Sequence, residues 1–205
     1  MAIKDQHTKW QKEVDGATRG ALADWIIAAH RGMRMLPETL YLAINLLDRL
    51  LSKRQCSLSK LQLLGITCLR IAAKYEETWC LTIDQFAART EGACTAKQIN
   101  GAEKYVLATL DWNLSSPGPM SWLRRASKAD GYDATSRTIA KYLMEISVVH
   151  PSLCEVRSSR IAAAAIYLAR LYLNKGEWVS SSQVICVRMF SHILADRQSR
   201  LLFRV

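Results

Sequence analysis

The sequence lacks the residue patterns that most enzymes and metal sites require. No Gly-x-Ser-x-Gly turn, phosphate-binding loop, His-Glu-x-x-His motif or Gly-x-Gly-x-x-Gly turn occurs in its 205 residues. Its 6 cysteines show no Cys-x-x-Cys spacing, and its 4 histidines are scattered without a cysteine or carboxylate at ligand spacing. We therefore expect no enzyme activity, no bound metal and no cofactor.

Long apolar runs are missing as well. The longest apolar stretch, Ile161 to Leu173, is too short to cross a bilayer and contains Arg170. No N-terminal hydrophobic run resembles a signal peptide, and the cysteine spacing favours a reducing compartment over a disulfide framework. These features predict a soluble intracellular protein with no membrane partner.

What is present is a basic, globular composition. Half of the residues are hydrophobic, 22% are charged, and the net charge is +10. Such a charge permits binding to nucleic acid, to an acidic membrane or to an acidic protein, and it does not choose among them. The composition therefore leaves open which partner the chain binds.

Helical periodicity covers nearly the whole chain, and strand-type alternation is scarce. The pattern favours an all-α fold. Each half contains a helix rich in small residues, which lets neighbouring helices approach closely, so a duplicated helical lobe is expected. The predicted helices are 17–33, 38–52, 59–77, 83–90, 96–110, 120–129, 134–147 and 159–174.

A breaker lies in the middle of the chain, where Pro117 and Pro119 flank a glycine and exclude a helix. We place a linker at 115–118, between an N-terminal domain and a second lobe. Helical periodicity weakens again near the end of the chain, where several arginines occur. The predicted units are an N-terminal domain at 1–114, a partial second lobe at 119–178 and a basic tail at 179–205.

Two charges fall inside apolar helical stripes, Lys74 on the third predicted helix and Glu103 on the fifth. A charge on an apolar face needs a partner, and such a surface is suited to holding another protein's backbone or helix end. We expect that removing either charge weakens partner binding and leaves melting nearly unchanged. At 100° per residue, one side of the third predicted helix carries Leu63, Arg70, Lys74 and Glu77, and Glu103 of the fifth completes the predicted binding face.

Arg19 lies on the apolar face of the first predicted helix, and Asp48 lies within the second. A buried guanidinium needs a carboxylate, so the two are predicted to pair. We favour a structural role for this pair over a binding role, because buried ion pairs more often specify a fold.

The first predicted helix has a second apolar face, which forms either a shallow exposed groove or part of the core. Trp25 is the residue on which the choice depends, and periodicity alone does not decide it. The groove residues are Thr18, Ala21, Leu22 and Trp25, with Gln62 from the third helix at the rim.

Several long segments resemble one family when they are taken in order. TRGALADWI (18–26), LPETLYLAINLLDRLLS (36–52), LQLLGITCLRIAAKYEE (61–77) and AEKYVLATLDWNLS from 102 resemble the cyclin box of a B-type, mitotic cyclin. PMSWLRRASKADGYD (119–133) and SSRIAAAAIYLARL (158–171) continue the resemblance into a second cyclin lobe, with most similarity to fungal members.

The resemblance implies tandem five-helix cyclin lobes and a regulatory subunit that activates a cyclin-dependent serine/threonine kinase in G2/M control. It implies that Lys74 and Glu103 bond the segment leading into the kinase's regulatory helix, and that Arg19 and Asp48 form the family's structural pair. It also implies a nuclear and cytoplasmic location.

Four departures qualify these expectations. Thr18, Ala21 and Ala28 replace the bulky apolar and acidic residues of the family's substrate-docking groove, so we expect weakened substrate docking. Arg70 occupies a position that is normally apolar. The motifs stop near Trp178, so the second lobe is expected to be incomplete, as in a truncated chain. The extension that carries a destruction signal is expected to be missing before the cyclin box.

Two other functions remain open at this point. A cyclin-fold transcription factor that binds nucleic acid would suit the charge of +10. The KYEE motif together with Glu103 favours a kinase partner over nucleic acid. A decayed cyclin paralogue that regulates nothing is the third hypothesis. Salt-sensitive DNA binding without kinase binding would favour the first of these.

Overall fold

Every secondary-structure element among the described residues of this computed structural model, 11–154 and 156–175, is a helix. The all-α class is therefore confirmed, and each predicted helix end lies within two residues of the observed one. The elements are α1 (Gly16–Gly32), α2 (Pro37–Lys53), α3 (Leu58–Glu76), α4 (Ile83–Ala88), α5 (Ala96–Thr109), α6 (Pro119–Ala129), α7 (Ala134–Val149), a 3₁₀ turn (Pro151–Leu153) and α8 (Ser158–Tyr172).

The helix boundaries follow from local chemistry. Pro37 and Pro119 occupy the first turns of α2 and α6, where a missing N–H costs nothing. Thr95 opens α5 with a reciprocal capping box, in which Gln98 Oε1 accepts a bond of 2.8 Å from the Thr95 amide. Ser57 is the N-cap residue of α3, and its side chain makes no capping bond.

Helix α3 lies at the centre of the first lobe, which we define as α1–α5, and packs against the other four helices. Gly65 permits this arrangement, because a Cβ at that position would lie 3.0 Å from Leu22 Cδ1 and 3.3 Å from Ile26 Cδ1. In the second lobe, α6–α8, the buried alanines Ala162 and Ala165 let α8 pack closely on its neighbours α6 and α7.

Arg19 joins the two lobes from inside the fold. Its guanidinium donates two bonds to Asp48, Nε to Oδ1 at 2.9 Å and Nη2 to Oδ2 at 2.7 Å, and Nη1 donates to the carbonyl of Val148. Arg19 is 1% exposed and Asp48 3% exposed. The structure thus brings the predicted pair together and adds a third contact, at the end of α7, that the sequence did not predict.

Two ion pairs continue this junction at the surface: Arg31 Nη2 lies 2.5 Å from Glu145 Oε1, and Arg124 contacts Glu38. Within the described part of the chain, no helix combines the length and hydropathy needed to cross a membrane. The predicted division at 115–118 falls between α5 and α6 and stays a prediction. The predicted tail, 179–205, lies outside the described residues.

We predict that Asp48→Ala lowers the free energy of unfolding by about 3 to 5 kcal/mol, because it leaves the buried guanidinium of Arg19 without a counterion. The shift in the urea midpoint measures this loss. Asp111→Ala is the matched control, since Asp111 pairs with Lys53 at 2.7 Å on the exposed surface and its removal is expected to leave the midpoint in place. Equal midpoints for Asp48→Ala and the wild-type chain would contradict the role given to the pair.

Candidate partner-binding face on α3 and α5

The face predicted from the sequence is built where the C-terminal half of α3 packs against α5. On α5, Ile99 and Val106 are fully buried and anchor the helix on the core. Glu103 lies on the same side of α5, between these two anchors, so its carboxylate is directed toward α3 rather than toward bulk water. On α3, Arg70 and Lys74 are one helical turn apart and meet it.

Glu103 is held by both cations at once. Lys74 Nζ lies 2.6 Å from Oε1, and Arg70 Nη1 contacts Oε2. The side chains of Arg70 and Glu103 are 12% and 10% exposed, whereas that of Lys74 is 47% exposed. We call these three residues the charge cluster. Since two cations meet one carboxylate, the cluster carries an excess positive charge at the surface.

The electrostatics of the cluster act on the exposed lysine. Partial burial, together with the positive charge of Arg70, lowers the pKa of Lys74. Arg70 Nε is buried without an acceptor among the described residues. The donors open to a partner are those of Lys74, which uses one on Glu103, so the cluster favours a partner that supplies carbonyl or carboxylate oxygens.

Large aromatic side chains lie next to the cluster in sequence. Tyr75 follows Lys74 and is exposed, and Trp79, just beyond α3, is 89% exposed. On α5, Tyr105 is also exposed. Exposed aromatic residues with a cation among them are typical of protein-binding surfaces. Residue spacing did not predict these three, although Tyr75 lies within the KYEE motif, Trp79 lies two residues after it, and Tyr105 lies two residues after Glu103.

Glu77 is engaged elsewhere in the lobe. Its Oε1 accepts bonds from the Leu36 amide at 2.7 Å and from Thr39 Oγ1 at 2.5 Å, at the start of α2. Leu36 is the N-cap residue of α2 and has no side-chain cap of its own, so Glu77 caps that helix from a distance. This structural role was missed by sequence reasoning, and a role toward a partner stays a prediction.

Further toward the N-terminus of α3, the predicted face becomes core. Leu63 is half-buried and packs against the hydrophobic core. Thr67 is fully buried and donates a bond of 2.6 Å to the Leu63 carbonyl. The exposed part of the face is therefore confined to the last turns of α3, around Lys74.

The second predicted surface, the groove on α1, is only partly open. Leu22 is buried against α3 beside Gly65. Trp25 is half-buried and packs on the core, so the groove and core interpretations each hold for part of its ring. The three other groove residues stay at the surface: Ala21 is exposed, and Thr18 and Gln62 are half-buried.

A cleft of about 480 Å3 lies between the lobes. Its lining includes Tyr41 and Trp122, and also Arg19 and Asp48, which bond to each other. No group of side chains able to hold a metal ion occurs within the described residues.

The described residues thus form an all-helical protein of two lobes, built around α3 and α8, with a charge cluster at the surface of the first lobe. The cyclin N-terminal domain family matches residues 1–115, and the cyclin C-terminal domain family matches residues 117–195. The chain belongs to the cyclin family. The second match extends beyond Trp178, so the resemblance reaches further along the chain than its motifs had indicated.

Fungal cyclins are among the relatives that share about half of their aligned residues with this chain. The chain is 49% identical over 168 residues to the G2/mitotic-specific cyclin cdc13 of Schizosaccharomyces pombe, which covers 82% of this chain and 35% of that protein. It is 50% identical over 160 residues to the G2/mitotic-specific cyclin-2 of Saccharomyces cerevisiae, covering 78% and 33%. The resemblance to fungal mitotic cyclins is confirmed, and the chain spans about a third of the length of these relatives.

Solved structures agree on the fold. A viral cyclin from herpesvirus saimiri superposes with a TM-score of 0.77 at 19% identity, covering 83% of this chain and 76% of that one. A chain of the yeast RNA Pol II CTD kinase CTDK-1 complex superposes with a TM-score of 0.72 at 13% identity, covering 86% and 62%. At such identities the likeness establishes the cyclin fold.

The geometry changes one expectation from the sequence. Glu103→Ala is now predicted to lower the free energy of unfolding by about 3 kcal/mol, because it leaves the buried Arg70 without its carboxylate. Lys74→Ala is the matched variant and should shift the melting temperature far less, because Lys74 is half exposed and the ion pair between Arg70 and Glu103 remains in this variant. Thermal melts of both variants test this. Equal melting of Glu103→Ala and wild-type chains would show that Arg70 and Glu103 do not depend on each other.

Proposed function

We propose that this chain is a regulatory subunit that binds and activates a cyclin-dependent serine/threonine kinase in G2/M control. The observation that carries the proposal is the charge cluster, which presents the half-exposed Lys74 on the first lobe, with the exposed Tyr75 next to it in sequence. The names of the fungal relatives support the cell-cycle phase.

The chemistry of the face suits activation by contact. Lys74 has three N–H donors and uses one on Glu103, so it can also donate to backbone carbonyls of a docked segment. Charge-assisted bonds to backbone fix the position of that segment without needing a particular side chain. A subunit that binds a mobile kinase element in one position shifts the kinase toward that conformation.

A non-catalytic role fits the carboxylates of the cleft between the lobes and of the charge cluster. Arg19 and Asp48 in the cleft bond to each other, and Glu103 is paired with two cations. None of these carboxylates is arranged as an acid–base pair for catalysis. The chemistry of the proposed complex would then belong to the kinase, and the proposed location, nucleus and cytoplasm, is that of such a complex.

Lys74→Ala is predicted to weaken kinase binding roughly tenfold or more, because it removes a charge-assisted hydrogen bond of about 1.5 to 3 kcal/mol. The affinity of the full chain for the purified mitotic cyclin-dependent kinase of fission yeast, with histone phosphorylation as the activity readout, measures it. Lys53→Ala, which removes an exposed lysine paired with Asp111, is the control and should bind as the wild-type chain does.

Unchanged kinase binding by Lys74→Ala would contradict the assignment of the face. A wild-type chain that shifts DNA in a salt-sensitive manner and fails to bind the kinase would favour nucleic-acid binding instead.

The groove on α1 gives a separate prediction. Thr18, Ala21 and Ala28 provide little apolar area and no acid, so the groove is proposed to dock substrates weakly. Thr18→Met, Ala21→Ile and Ala28→Glu together should raise the phosphorylation rate of substrates carrying Arg-x-Leu. A peptide with Ala-x-Ala serves as the control. Equal rates for the variant and the wild-type chain would show that the groove takes no part in docking.

A further inference from the structure

The charge cluster poses a problem for any partner that recruits Lys74. Glu103 is 10% exposed, and the loss of its counterion would leave a carboxylate charge stranded in the lobe. If Lys74 were the sole counterion, each bond that Lys74 made to a partner would compete with its bond to Glu103. The partner would then gain little from contacting the lysine.

Arg70 removes this competition. Its Nη1 contacts Glu103 Oε2, the oxygen that Lys74 does not use, and its side chain is 12% exposed. Arg70 is thus a second counterion, held inside the lobe and out of a partner's reach. Because the carboxylate is shared between two cations, Lys74 can leave Oε1 while Glu103 stays paired.

The two cations also differ in how easily they move. The side chain of Lys74 is 47% exposed, whereas that of Arg70 is 12% exposed and follows the buried Thr67 by about one helical turn in α3. A flexible, half-exposed lysine reorients at small cost, and a planar, buried guanidinium does not. The cluster therefore combines a fixed cation that keeps Glu103 in place with a movable one directed to the surface.

We propose that Arg70 is a positioning residue for partner binding: it takes over the charge of Glu103 and so releases Lys74 to bond acceptor oxygens of the docked segment. The inference rests on the proposed function, because the partner is the kinase. It assigns the selectivity of the face to segments that present carbonyl or carboxylate oxygens.

The test is kinase affinity across matched variants of the full chain. Arg70→Met is expected to weaken binding to the fission-yeast kinase roughly fivefold or more, because Lys74 is then the sole counterion of Glu103. Arg70→Lys keeps the charge and should retain most of the affinity. Arg54→Met removes a positive charge from an exposed site before α3, about four helical turns from Lys74, and should bind as the wild-type chain does.

A second background separates positioning from direct contact. With Glu103→Gln, Lys74 has no carboxylate to leave, so adding Arg70→Met should change the affinity no further. Melting curves of each variant identify the conditions in which all are folded. An independent readout is the pKa of Lys74, followed by NMR of the ¹³C-methylated chain. Since the nearby charge of Arg70 lowers that pKa, Arg70→Met should raise it, and an unchanged pKa would mean that the two cations do not meet at Glu103.

The other outcomes overturn the inference. Tighter binding by Arg70→Met would mean that Arg70 competes with the kinase for Glu103, and unchanged binding would mean that it has no role at this face. A further loss in the Glu103→Gln background would mean that Arg70 contacts the kinase directly. A wild-type chain that does not bind the kinase would remove the proposed function itself, and a failure confined to the Arg70 variants would leave that function standing.

Discussion

The guanidinium of Arg19 ties together three segments that are distant in sequence. It bonds to Asp48 on α2 and to the carbonyl of Val148 at the end of α7, from a position on α1 that solvent barely reaches. A buried cation tolerates few arrangements, because each donor that loses its acceptor costs desolvation energy. The bonds of Arg19 therefore constrain how the two lobes pack on each other, and the ion pairs Arg31–Glu145 and Arg124–Glu38 join the same lobes at the surface.

The partner-binding face depends on that frame through α3. Helix α3 can contact all four of its neighbours because Gly65 leaves room for α1, and this packing fixes which of its sides turns toward α5. The packing brings Arg70 and Lys74 to the same carboxylate, although the three residues differ widely in exposure. Burial of Glu103 gives the cluster its precision, and exposure of Lys74 makes it available to a partner.

Two glutamates, Glu77 and Glu103, have different roles in this fold. Glu77 follows the lysine of the KYEE motif by three positions, yet its carboxylate bonds the Leu36 amide and Thr39 and so completes the first turn of α2. Glu103, by contrast, is held entirely by side chains. A carboxylate bonded to the backbone fixes a helix end, whereas one bonded to a flexible lysine leaves a group that a partner can recruit.

Periodicity and turn chemistry by themselves determined the helices, their ends and the pairing of Arg19 with Asp48, because these follow from local spacing and from the need of a buried charge for a counterion. The cyclin resemblance followed from the order of long motifs. Tertiary structure alone decided that Arg70 shares Glu103, that Glu77 caps α2 and that Leu22 belongs to the core. The physical reason is that a helical wheel gives each side chain a direction, whereas the partner it meets is set by how the neighbouring helices pack.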